Sequence, residues 1–130
     1  RGIVLRNGTP YTTQDSVGHY MELVHCYIGL GDIEQAEHCL KEIERISFQL
    51  HAKDKRGVNY YIMEKRACLE AMKGNMEKAL KDYEAYFKNL LPNERWPMNW
   101  FTDPYGNHPD LLITNKHFIE LVNKYCPADK

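Results

Sequence analysis

Gly31-Asp32-Ile33-Glu34-Gln35-Ala36 and Gly74-Asn75-Met76-Glu77-Lys78-Ala79 carry one local instruction twice, 43 residues apart. Gly, Glu and Ala coincide, and Asp/Asn and Ile/Met are near matches. In each copy the Gly-Asp or Gly-Asn pair turns the chain between two helices. The small Ala then lets the second helix approach the first closely.

Outward from the first copy, Ile33, Ala36, Leu40 and Ile43 form one apolar stripe that continues through Ile46 and Leu50. The opposite face reads Glu34, Glu37, His38, Lys41, Glu42 and Arg45, with Glu37–Lys41 spaced for an i,i+4 pair. Upstream, Thr12 with Asp15 resembles a capping box, so a helix is expected from near Thr13. Val17, Tyr20, Met21, Val24, Tyr27 and Ile28 recur along it at helical spacing. The run Lys53-Asp54-Lys55-Arg56-Gly57 reads as a solvated inter-helix turn.

Around the second copy a helix is expected over Val58 to Lys73, with Tyr61, Ile62, Ala67, Leu69, Ala71 and Met72 as its apolar content. The next carries Met76, Ala79, Leu80, Tyr83, Phe87 and Leu90 on one face. Its other face holds Glu77, Lys78, Lys81, Asp82, Glu84 and Lys88, with pairs expected at Glu77–Lys81 and Glu84–Lys88. None of the six prolines falls within residues 11–91, and Pro92 closes this helical stretch. Beyond it, Trp96, Trp100, Phe101 and Tyr105 sit in an irregular, proline-interrupted segment. Pro109 suits the start of a helix, and Leu111, Leu112, Phe118, Leu121, Val122 and Tyr125 support one terminal helix ending near Cys126-Pro127. At the other end, Arg1 to Arg6 read as the end of a preceding helix.

Composition bounds the class. The chain has 130 residues, 43% hydrophobic and 27% charged, the balance of one globular domain. Seventeen basic against eighteen acidic residues give a net charge of −1, without the electrostatic footprint of a nucleic-acid binder. No apolar run approaches the ~20 residues of a membrane span, so no membrane insertion is expected. Cys26, Cys39, Cys68 and Cys126 show no compact disulfide framework and are expected as free thiols. The cytoplasm is the expected compartment, with the bacterial periplasm as the alternative. The chain opens with Arg1 rather than Met and is read as a fragment of a longer protein.

The first unit, with Tyr20, Leu23, Val24, Tyr27, Gly31, Ala36, Leu40 and Ile43, resembles the tetratricopeptide repeat. In the second unit Met63, Ala67, Gly74, Ala79, Tyr83 and Tyr86 fit that pattern. Arg66 and Glu70 stand where apolar or aromatic residues are expected. The offset of 43 exceeds the usual period of about 34, which implies longer helices. The resemblance implies an all-α, antiparallel helix-pair solenoid of about two long-helix repeats, over residues 17–50 and 58–91. Residues 92–130 form a non-repeating C-terminal cap. About three repeats are normally needed for stability, so the parent chain is expected to continue, or the fragment to pair with itself.

The same resemblance implies that the first helix of each pair lines a concave groove for a protein or peptide partner. By family position the lining is Met21, His25 and Ile28, then Tyr61, Glu64, Cys68 and Met72. Family members that grip a peptide carboxylate use Lys, Asn and Arg there. Met21, Glu22, His25 and Glu64 occupy those positions, so that clamp is not expected. The aromatics Trp96, Trp100, Phe101 and Tyr105 are either a cap on the open end of the repeats or interface anchors, with capping expected.

The competing chemistries are weaker. His25-Cys26 and His38-Cys39 offer metal-ligand types, but adjacent helical residues point ~100° apart, and no metal is expected. Cys68 across from His25 would suit a nucleophile and its base, yet no Gly loop supplies oxyanion stabilisation. The expected function is a non-enzymatic protein-interaction module without cofactor. Long-helix variants of such repeats occur in bacterial signalling proteins, which sets the alternative of a ligand-sensing domain in a two-component kinase or transcription regulator. A metal-binding domain is the remaining reading.

Overall fold

The two glycines of the repeated hexapeptide adopt positive φ, 75° at Gly31 and 94° at Gly74, in the computed structural model. It describes residues 5–6, 9–10, 13–102 and 108–127, with side chains from residue 15 onward. Each glycine closes its helix with the same two backbone bonds. Gly31 N–H donates to Ile28 and Asp32 N–H to Tyr27; Gly74 N–H donates to Ala71 and Asn75 N–H to Glu70. This is the Schellman arrangement, which requires a left-handed residue just past the helix end. Asp32 then caps the next helix by accepting from Gln35 N–H at 3.2 Å. Asn75 makes no such bond and instead donates to Glu70 Oε1 at 2.9 Å.

These turns join two helix pairs. α1 (Thr13–Leu30) folds back on α2 (Ile33–Ser47), and α3 (Ala52–Met72) folds back on α4 (Met76–Asn89). Ala36, Ala67 and Ala79 are completely buried. Such small residues let helix backbones approach. A 3-10 turn at Pro92–Glu94 leads to α5 (Met98–Phe101), α6 (Asp110–Ile113) and α7 (Lys116–Tyr125). Before α1, β1 (Leu5–Arg6) and β2 (Thr9–Pro10) form a two-residue antiparallel ladder.

Several boundaries differ from expectation. Lys53 to Gly57 are not a turn: α3 starts at Ala52, and the connection is confined to 48–51. Ala, Lys and Arg are good helix formers, and Asp54 lies in the first turn, where the helix dipole favours an acid. Leu5–Arg6 is extended rather than helical, while residues 1–4 and Thr12 lie outside the described residues. The single terminal helix is broken at 114–115, because Asn115 Oδ1 accepts from Phe118 N–H at 3.0 Å and starts α7 afresh. Two surface pairings also change: Glu37 pairs with Lys73, the C-cap of α3, rather than Lys41, and Glu84 accepts from Tyr125 O–H at 2.8 Å rather than meeting Lys88. Glu77–Lys81 approach to 3.8 Å.

The C-terminal segment belongs to the core. Phe101, Leu112, Phe118 and Val122 are buried. The Phe118 ring meets Tyr83 edge-on at 4.9 Å between centroids, and Phe101 meets Phe87 at 6.0 Å. Arg95 ties the segment down through bonds to the carbonyls of Leu90 and Tyr125. α7 thereby packs on α4, and α6 on α3.

Candidate functional site

α1 and α3 bring the expected groove residues together, but the C-terminal segment divides what was expected as one groove. Tyr61 O–H donates to the Met21 carbonyl at 3.2 Å, and the Tyr61 and His25 rings lie 5.7 Å apart. Ile28, Glu64 and Cys68 are buried, whereas Met21, His25, Tyr61 and Met72 are half-buried. The cause is the cluster of Trp100, Phe101 and His108, whose rings pack on one another while His108 reaches Glu64 of α3. On one side of it Ile28 and Met72 line a shallow hollow beside the Gly31 turn, together with Phe101 and His108. On the other side His25, Tyr61 and Glu64 line an aromatic cleft of about 410 Å³.

The cleft walls are Tyr60, Tyr61, Tyr86, Trp96, Trp100 and His25. Trp96 is 54% exposed at the mouth and stacks on half-buried Trp100 at 6.2 Å. Phe101 is in the core behind it, and Tyr105 lies outside the described residues. Arg56 and Glu94 form a forked ion pair beside this rim, at 2.5 and 3.2 Å, and the Arg56 guanidinium lies over Tyr60 at 4.8 Å.

Glu64 and Lys65 line the floor, with side chains 3% and 2% exposed. Lys65 Nζ lies 3.0 Å from Glu64 Oε1 and 5.7 Å from the Tyr61 ring centre. Glu64 Oε2 accepts from Tyr83 O–H at 2.5 Å and lies 3.0 Å from His108 Nε2. Burial alone would push the Glu64 carboxyl up. The neighbouring Lys65 and His108, with the bonds from His108 and Tyr83, outweigh burial and hold it well below the usual carboxylate range. Burial, then the Glu64 charge, raises the Tyr61, Tyr83 and Tyr86 hydroxyls, which stay protonated. Burial and Glu64 likewise push the Cys68 thiol up to about 12, the opposite of an activated nucleophile. Burial, then Lys65, lowers His25, which is neutral near pH 7.

Sequence reasoning missed Lys65, Tyr83 and His108 as a set. One signal was present. Val58, Ile62, Lys65, Leu69 and Met72 share one helical stripe, so Lys65 interrupts an otherwise apolar face. For His108 there was none, because its pairing with Glu64 spans 44 residues. His108 Nδ1 is buried without a hydrogen-bond partner. Among the described residues no group of three or more His, Cys, Asp or Glu could hold a metal ion, and no helix is long and apolar enough to cross a membrane. No protein-family model matches the chain, and comparison with curated proteins and with solved structures finds no match either.

Proposed function

We propose that the chain is a non-enzymatic binding module, two TPR-like helix pairs with a C-terminal cap, whose aromatic cleft receives a segment of a protein partner. The observation that carries this reading is Trp96, left 54% exposed while stacked on Trp100 at the mouth of a cleft with tyrosine walls. Leaving a large indole in water forgoes its burial, and exposed aromatic anchors are the residues that dominate interfaces. The Schellman-closed hairpins with buried alanines support the repeat reading. A small-ligand sensor is the second reading, favoured by the cleft's volume of about 410 Å³, which lies in the range of small-molecule sites.

Both tryptophans of the chain line the cleft, so intrinsic fluorescence reports on it directly. Peptides selected from a random display library are expected to shift that emission. Trp96→Ala is expected to weaken them by roughly 5- to 150-fold, the 1–3 kcal/mol of an interface anchor, with the melting temperature unchanged. Selected peptides that bind Trp96→Ala as tightly as the parent would overturn the assignment of the cleft.

A further inference from the structure

Resting on that reading of the cleft, we propose that the bound segment carries an Asp or Glu carboxylate beside an aromatic or branched apolar side chain, with the carboxylate accepting from Lys65. The cleft's two acids are already engaged. Glu64 uses Oε1 on Lys65 and Oε2 on Tyr83 and His108. Glu94 accepts from both Arg56 Nη atoms and from Leu91 N–H at 2.8 Å. Lys65 is the reverse case. An ammonium carries three donors, and among the described residues the carboxylate on it is Glu64 Oε1. The ammonium also lies over the face of Tyr61, itself a cleft wall. His25, the titratable neighbour on α1, is neutral near pH 7 and brings no competing anion.

A buried ammonium with spare donors on the floor of an aromatic cleft therefore asks for an acceptor, not for a cation. The walls ask for a flat or branched apolar group next to it. The carboxylate could come from a peptide side chain or from a free aryl acid. The open mouth at Trp96 and Gly57, both exposed, suits a chain that enters and leaves, which commits the proposal to the peptide.

The test uses the whole chain and three probes: acetyl-Gly-Asp-Phe-Gly-amide, the same peptide with Asn for Asp, and 3-phenylpropionate. Titration by tryptophan emission and calorimetry is expected to show the Asp peptide binding at least about ten-fold tighter than the Asn peptide. In the double variant Glu64→Gln with Lys65→Met, which leaves no lone buried charge, the two peptides should bind within about two-fold of each other. That comparison is made after a thermal melt shows the variant folded; if it is not, the preference of the unaltered protein decides. Equal binding of the Asp and Asn peptides to the unaltered protein overturns carboxylate selection and leaves the binding module standing. Tighter binding of 3-phenylpropionate than of the Asp peptide overturns the peptide source. Binding of no probe overturns the proposal here, while the display selection separately decides the module.

Discussion

The two helix pairs are closed by the same turn and finished differently inside. Between α1 and α2 the buried set is apolar throughout apart from Ser47: Val17, Val24, Ile28, Ala36, Cys39, Leu40 and Ile43. Between α3 and α4 the buried set includes Glu64 and Lys65, with Tyr83 O–H directed at the carboxylate. The first pair could be exchanged for many apolar combinations of equal volume. The second works only with its polar partners present, and one of them, His108, comes from the far end of the chain. A shared turn therefore sets how a helix hairpin closes, and leaves open what its inner face is for.

The largest expected effect attacks that difference head-on. Lys65→Ala leaves Glu64 buried without its cation and is expected to cost about 3–5 kcal/mol in urea unfolding. Arg66→Ala, one residue along, removes a pair with Glu44 in which both side chains are at least half exposed, and should cost no more than about 1 kcal/mol. Equal costs would erase the distinction between the buried pair and the surface one.

Next come the turns, where the two pairs should behave alike. Nothing lies within 4 Å of a Cβ built on Gly31 or Gly74, so Ala there meets no clash and is penalised by positive φ alone. Gly31→Ala and Gly74→Ala are each expected to cost about 1–2 kcal/mol by chemical denaturation. The symmetry should end one residue later. Asp32→Ala loses a cap bond worth ~1 kcal/mol, whereas Asn75→Ala loses none of that kind.

The smallest effect is a pH dependence. The folded state holds His25 below its usual pKa, so the unfolded chain takes up the proton first as pH falls through about 6.5. Stability from neutral His25 is thus complete above that value and declines below it. The depressed Glu64 carboxyl acts in a lower window. Its contribution is present above the ordinary carboxylate pKa of about 4.3 and is lost as pH falls further. Thermal melts from pH 8 to pH 3 should show two declines, and His25→Gln should remove only the upper one. An unchanged upper decline in that variant would place its origin elsewhere.

The residues themselves account for much of the architecture. The stripe Ile33, Ala36, Leu40 and Ile43, the Gly-Asp and Gly-Asn turns and the Pro92 stop are local, and local rules of spacing and backbone conformation decide them. The stretch Lys53 to Gly57 is local too, but there helix propensity and a breaker conflict, and Gly57 is tolerated in an open position on α3. Of the site, Tyr61, His25 and Glu64 could be placed near one another from repeat positions, and the C-terminal aromatics could be named without a location.

Only the tertiary structure decided that Trp100 and Phe101 lie between the Ile28–Met72 hollow and the aromatic cleft, and that Lys65 lines the floor of that cleft. It alone decided that His108 reaches back across 44 residues to Glu64. The physical reason is the range of the forces. Turn geometry and amphipathic periodicity are settled within a few residues. The burial of an ion pair depends on which distant surface covers it, and that is chosen by the packing of Phe101, Leu112 and Phe118 onto the second helix pair.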